Sequence, residues 1–395
     1  MKLQASMWRL YNNNCTTVKY DGTKRFKGTS MNAFYRAGFS LCLLCITVSA
    51  VCQQPAASGA TEKSQPVTAV PSDNSDRSLT LDVVVTDKSG KPVSGLQQQD
   101  FTVLDNKRPT RIVSFHSQSG AALPTDPNAG TELFLIFDEV NTTFDKVWYG
   151  RDGVKKFLTQ NHGELSHPVS LAFFSDSGMQ IQTEPSLDGN GLAAALDQHQ
   201  NSLRTIGRGA EYGDEDRLRL SLDALNTFVD QEKTRPGRKM VIWISPGWPL
   251  LSGPGRNLSS GQQQRVFDSV VRLSGAMRQA RITMYSIDPL GAAGAGGTRT
   301  AYYENFTKGL VNPSHAELGD LGLQVLAAQN GGRVIFGNDS IVNSIDHCVA
   351  DLNAFYVLSI TPAPADRTNE YHGLEVKLGT PGLTARTQTG YYTKP

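Results

Sequence analysis

A chain of 395 residues exceeds one ordinary domain of roughly 100–200 residues, so two folded units with tails are expected. With 39% hydrophobic and 19% charged residues it can bury a sizeable core, which excludes disorder as its main state. Lys and Arg number 38 against 37 Asp and Glu, leaving no net field to attract a phosphate backbone or an anionic membrane; nucleic acid is not an expected partner.

The first thirty residues are polar, without period, and precede Met31. From Met31 the pattern is that of a secretory signal: Arg36 gives a positive start, residues 39–48 an apolar run, and Val48-Ser49-Ala50 a small-residue cleavage site. Residues 1–50 therefore read as extension and signal, with the mature chain beginning near Val51. The apolar stretch 37–51 is shorter than the roughly 20 residues a spanning helix needs, so no stable membrane span is expected in the mature chain. Cys15, Cys42 and Cys45 fall within this region. Cys52 and Cys348 remain, too distant for a disulfide framework or a zinc pattern. Residues 51–77, rich in Ala, Ser, Pro, Gln and Thr, read as a linker.

Residues 78–120 have strand grammar. Leu79, Leu81, Val83 and Val85 alternate with mostly polar neighbours, Asp87-Lys88-Ser89-Gly90 forms a turn, and Phe101, Val103, Ile112 and Phe115 mark two strands around a turn from Asp105 to Pro109. Over 131–352 the grammar changes. Apolar runs at 133–137, 169–174, 240–244, 282–287 and 334–336 read as strands buried on both faces of a parallel sheet, and residues 179–182 as an antiparallel edge strand. Helical stripes lie between them: Leu218, Leu222, Leu225 and Val229; Val266, Val270, Leu273 and Met277, behind a capping box of Ser260 and Gln263; a helix from Leu318 to Gly331-Gly332; and Ile341, Ile345, Cys348 and Leu352. Residues 353–395 return to strands at 355–361, 374–378 and 384–392. The expected fold is α/β: a Rossmann-like, doubly wound, mostly parallel sheet inserted in or flanked by a small β-sandwich. Three strands on either side are each too few for a stable sheet, so the N- and C-terminal arms are expected to pair.

In open parallel sheets ligands bind beyond the carboxyl ends of the strands. Three loops qualify: Asp138-Glu139-Val140-Asn141-Thr142, the loop through Thr205 to Asp216, and Ser245-Pro246-Gly247-Trp248. Asp138, directly after an apolar strand, marks the mouth of this face; Glu139, Asn141, Thr142, Thr205 and Ser245 complete the candidate set, and oxygen ligands from such loops can hold Mg²⁺. The glycine-rich run at 291–297 lacks the strand-glycine-helix context of a nucleotide site. His162, His167, His199, His315 and His347 show no HExxH spacing and no G-x-S-x-G elbow occurs, so no catalytic residue is expected. Tyr302, Tyr303 and Phe306 are either exposed contact aromatics or pack onto the surface.

The segments TLDVVVTDKSGKPVSGLQQQDFTVLDNKRPTRIVSF, FLIFDEVNTTF, GRKMVIWISPG, AQNGGRVIFGND and DLNAFYVLSITP…GLTARTQTGYY are collinear from Leu79 to the C-terminus. In this set the chain resembles the VWFA-related family of acidobacterial secreted proteins, a branch of the von Willebrand factor A superfamily. The resemblance implies an interaction module that often binds proteins through a metal-ion-dependent adhesion site: an Asp-x-Ser-x-Ser loop, a Thr from a second loop and an Asp from a third. Asp138 and Thr142 match the first acid and last hydroxyl, and Thr205 stands for the second-loop hydroxyl. Val140 replaces the middle Ser, and Pro246 stands where the third-loop Asp is expected. The site is thus expected to be degenerate, with Mg²⁺ bound weakly if at all through Asp138 and Thr142. The function expected is an exported, non-enzymatic module binding a protein ligand at the cell envelope. The alternatives are a metal-dependent hydrolase or enzyme subunit using Asp138, Glu139, Asp214 and Asp216, and a structural envelope component with a vestigial metal site.

Overall fold

The computed structural model describes residues 78–119, 130–200, 211–249, 251, 257–289, 302–336 and 340–393. The expected signal and linker, Thr205 and the glycine-rich run at 291–297 lie outside these residues. The first arm forms β1 (Leu79–Thr86), β2 (Phe101–Asp105), β3 (Arg108–Thr110) and β4 (Ile112–Ser119). Asn106 and Lys107 both take left-handed backbone angles, φ 47° and 66°, as a two-residue hairpin requires. The turn is therefore shorter than the sequence suggests. Arg108 and Pro109 belong to β3, an edge strand where proline's missing N–H is tolerated.

The middle of the chain forms β5 (Thr131–Asp138), α1 (Phe144–Leu158), β6 (Glu164–Ser175), β7 (Gly178–Ile181), β8 (Ser186–Asp188), α2 (Gly189–Gln198), α3 (Glu211–Glu232), β9 (Arg238–Ile244), α4 (Ser260–Gln279), β10 (Ile282–Asp288), α5 (Leu323–Gln329), β11 (Val334–Phe336) and α6 (Ile341–Asn353). The sheet order is β11-β10-β9-β5-β6-β7, with β8 also paired to β6. β5, β6, β9, β10 and β11 are parallel, and β7 and β8 run against β6. Every position of β9 and β10 is buried, which accounts for the apolar run from Met240 to Ile244 and for the mostly apolar β10, where only Thr283, Ser286 and the terminal Asp288 are polar. Period-two alternation sends Phe134, Ile136, Val241 and Trp243 to one face, under α3, α4 and α5. Leu133, Leu135, Met240 and Ile242 go to the other face, under α1, α2 and α6. Three helices differ from expectation. α3 begins at Glu211, so Asp214 and Asp216, expected in the second loop, lie in its first turns. The capping box of α4 is Ser259 with Gln262, one residue earlier than expected, because Ser259 is the residue still in extended backbone. The helix expected from Leu318 breaks at Gly322, whose ψ of 144° is extended, leaving a short 3-10 turn before α5.

The second arm forms β12 (Ala354–Ile360), β13 (Tyr371–Leu378), β14 (Thr384–Arg386) and β15 (Gly390–Tyr392). Its strands interleave with those of the first arm in two antiparallel sheets, β14-β1-β12-β4 and β15-β13-β2-β3. Leu81 lies opposite Leu358, Phe115 also opposite Leu358, and Val103 opposite Val376. The facing rows share one core, in which Phe101 of one sheet lies 4.9 Å from the ring of Tyr356 of the other. The segment expected as one strand over 384–392 is two, β14 in one sheet and β15 in the other. Between them Thr389 N is drawn off to Gln329 O at 2.9 Å. These sheets join the α/β layers along α4, where Tyr392 of β15 packs on Phe267 with ring centroids 6.0 Å apart, and at the amino ends of the parallel strands. There Arg281, just before β10, pairs with Asp82 of β1 at 2.7 Å, and Asp351 of α6 accepts from Arg333 and from Arg386 of β14. The carboxyl ends of the parallel strands face the other way. The architecture is mixed α/β, with one mostly parallel sheet and two antiparallel ones.

Candidate functional site

Counted in chain order from the β7 edge, the six strands of the central path run 3-2-1-4-5-6, and the order reverses between β5 and β9. A crevice at the carboxyl ends of the strands flanking such a reversal is where ligands settle in open α/β sheets. Asp138 ends β5, and Ser245 follows β9 directly.

Asp138 is buried and saturated. Its Oδ1 accepts from the backbone N–H of Val140 (3.1 Å) and Asn141 (2.8 Å), folding the loop back as an Asx turn. Its Oδ2 accepts from Asn141 Nδ2 (3.0 Å), Trp243 Nε1 (3.1 Å) and Ser245 Oγ (2.9 Å). Burial pushes the Asp138 carboxyl above its ordinary range, against the opposing pull of the hydrogen bonds from Asn141, Trp243 and Ser245. Asn141 Nδ2 also donates to Ser221 Oγ of α3 at 2.9 Å, and Ser221 donates to the carbonyl of Arg217. On the other flank Gly247 N donates to Ser245 Oγ at 3.1 Å. Gly247 sits at φ +104°, where a Cβ would overlap the amide of Gln324, so this turn demands glycine.

Glu139 turns away from Asp138. Its carboxylate lies 2.9 Å from His199 Nε2 at the end of α2, and the His199 ring stacks on Phe173 at 3.6 Å. Arg151 of α1 donates to the carbonyls of Leu196 and His199, closing that corner. Burial lowers the Arg151 pKa, an effect that the charges of Glu139 and Asp197 oppose. Thr142 is buried beside this loop. Asp214 pairs with Arg217, and Asp216 with Arg219 at 3.1 Å, both within α3. The four acids of the hydrolase alternative therefore each have a separate partner. Tyr302 packs on Phe306, and Tyr303 on Phe336, with ring centroids 5.4 and 6.1 Å apart.

These residues do not fit a hard cation at Asp138. Four of the five groups hydrogen-bonded to its carboxylate are N–H donors, which present positive hydrogens where a metal would have to sit. Val140 is buried in the core, Pro246 supplies no carboxylate, and the Asn141 amide turns its NH₂ to the acid. Among the described residues no group of three His, Cys, Asp or Glu side chains is placed to hold a metal ion.

Trp243, Ser221 and His199 belong to this network and are not in the set read from sequence. Ser221 did carry a signal, as a lone polar residue three and four positions from Leu218 and Leu225 on the buried stripe of α3. Trp243 carried none, since within an apolar strand an indole reads as core. Just beyond the loop, the first turns of α1 expose large aromatics: Phe144 is 73% and Trp148 62% accessible, with Tyr149 beside them.

No family model matches the chain, and neither does any curated protein. Among solved structures it is similar to an aerotolerance-related membrane protein from Bacteroides fragilis NCTC 9343, at 14% identity and a TM-score of 0.31, covering 57% of this chain and 99% of that one. It is also similar to proximal thread matrix protein 1 from the mussel byssus, at 12% identity and a TM-score of 0.31, covering 60% and 48%. A third is the pilus adhesin SpaC from Lactobacillus rhamnosus GG in its open conformation, at 12% identity and a TM-score of 0.32, covering 76% and 42%. The chain spans under half the length of the latter two.

Proposed function

We propose that this chain is an exported, non-enzymatic protein-binding module of the cell envelope, of von Willebrand factor A type, with its binding face at the carboxyl edge of the central sheet. Export rests on the signal pattern from Met31 to Ala50. The family reading rests on the collinear segments, which fall on β1 to β4, on β5, on β9, on α5 with β11, and on β12, β14 and β15. The observation that carries the function is the exposure of Phe144 and Trp148 directly after the Asp138 loop. Large aromatics clustered in water at the rim of a switch-point crevice are the side chains that anchor protein interfaces. Binding through this face is independent of metal, because Asp138 is committed to holding the loop.

The experiment is capture from envelope extract with the full chain as bait, with and without chelator. Capture persists in chelator and is lost with Phe144→Ser/Trp148→Ser. Capture that ignores this double substitution, or that vanishes on chelation, overturns the reading.

A further inference from the structure

The exposed face of α1 has a counterpart on the opposite layer of the same molecule. Between α3 and α4 runs an open cleft of about 410 Å³ whose apolar walls include Leu218, Leu222, Leu258, Val266, Leu318 and Leu321. Along its α4 rim stand Arg265 and Arg272, for which no hydrogen bond or ion pair is found among the described residues. They are seven residues apart, so about 10.5 Å separates them along the helix at 1.5 Å per residue. On α1 the exposed aromatics Phe144 and Trp148 are accompanied by Asp145 and Asp152, also seven residues apart on one helix and so spaced by the same distance. Among the described residues Asp152 is held by an exposed pair with Lys156, 2.7 Å away, of the kind that costs little to exchange. One surface therefore offers two aromatic knobs beside two carboxylates. The other offers a cleft with apolar walls whose α3 rim carries Glu215 and the paired Arg219 and Asp223, and whose α4 rim carries two arginines at matching separation.

Resting on the reading that the α1 face binds protein, we infer that the partner is a second copy of this chain, whose α3–α4 cleft receives Phe144 and Trp148 while Arg265 and Arg272 meet Asp145 and Asp152. Because α1 covers one face of the central sheet and α3 and α4 the other, the contact joins two different surfaces. Such a heterologous joint leaves a free face at each end and adds further copies, in a ring or an open row. Charge pairing at the rim sets the register, and the aromatics supply the buried anchor.

Sedimentation velocity of the full chain, from about 1 to about 100 μM, spans the range in which interfaces of modest size associate. The sedimentation coefficient rises with concentration past that of a dimer. Phe144→Ser/Trp148→Ser and Arg265→Asp/Arg272→Asp each abolish the rise while thermal melts stay cooperative. An equimolar mixture of these two variants restores a dimer and nothing larger, since only one intact joint can form. A wild-type chain that stays monomeric throughout, or a mixture that fails to dimerise, overturns the inference. If the monomeric chain still captures another envelope protein in a Trp148-dependent way, the second-copy inference falls and the protein-binding reading stands. If neither self-association nor Trp148-dependent capture occurs, both fall.

Discussion

Trp243 Nε1 donates to Asp138 Oδ2 at 3.1 Å, tying the acid that ends β5 to the neighbouring strand β9 across the point where the strand order reverses. Asp138 thereby acts as a structural hub. Asp138→Ala strands the buried Trp243 Nε1 and frees the Asn141 loop, and each buried polar group left without a partner costs about 1–3 kcal/mol. Urea unfolding should find Asp138→Ala destabilised by about 3 kcal/mol or more, equally in Mg²⁺ and in chelator. A change that appears only in Mg²⁺ would mean that the acid serves a metal instead.

Magnesium itself should bind poorly. With N–H donors filling the oxygens of Asp138, and Val140 and Pro246 adding no ligand, titration calorimetry should give a dissociation constant at or above roughly the millimolar level of low-charge oxygen sites. Submicromolar binding that Asp138→Ala removes would overturn this.

The parallel strands were legible because a strand buried on both faces is mostly apolar along its length, as in LFLIF of β5, even where buried Ser170, Thr283 and Ser286 interrupt β6 and β10. The helical stripes of α3, α4 and α6 were legible for the matching reason, period 3.6 on one buried side. What escaped the sequence depended on contacts made at a distance. Gly322 ends a 3-10 turn whose apolar pattern runs on unbroken into α5. Residues 384–392, rich in Thr and Tyr, read as one strand, yet the Thr389 backbone pairs with Gln329 and the chain crosses between sheets. Asp138 and Ser245 were found because position at a strand's end is visible in the pattern. The Glu139–His199 pair was not, since it joins residues 60 apart through the packing of α2.

Asp320 should make stability depend on pH. Burial pushes its carboxyl up to about 6 from an ordinary 3.8, as the Glu317 charge also does, while its hydrogen bond from Glu317 N pulls the other way. The folded state then holds the proton more tightly than the unfolded chain. The stabilisation is full below pH 3.8 and is lost as pH rises through about 6. At 1.36 kcal/mol per unit, the loss is at most about 3 kcal/mol. Asp320→Asn keeps an acceptor for Glu317 N without the charge, so urea midpoints should lose this slope and rise relative to wild type at neutral pH. An unchanged slope in the variant would place the titration elsewhere.

Removing the second arm should undo the first. β12 lies between β1 and β4, and β13 lies beside β2, so a chain ending at Leu352 leaves β1 and β4 with no partner strand and only the β2–β3 hairpin paired. The shared core also loses Tyr356, Leu358, Ile360, Leu374 and Tyr391, and an isolated hairpin is marginal in water. The α/β layers keep both of their own cores, one on each face of the central sheet, and Asp351 keeps its pair with Arg333. Limited proteolysis read by mass spectrometry should therefore cut the truncated chain within residues 78–119 while residues 131–352 stay protected, and the full chain should resist at both. The unpaired edges of β1 and β4 should also make the truncated chain aggregate at concentrations where the full chain does not. If residues 78–119 remain protected after truncation, the first arm folds without the second, and the interleaved pairing is not what holds it.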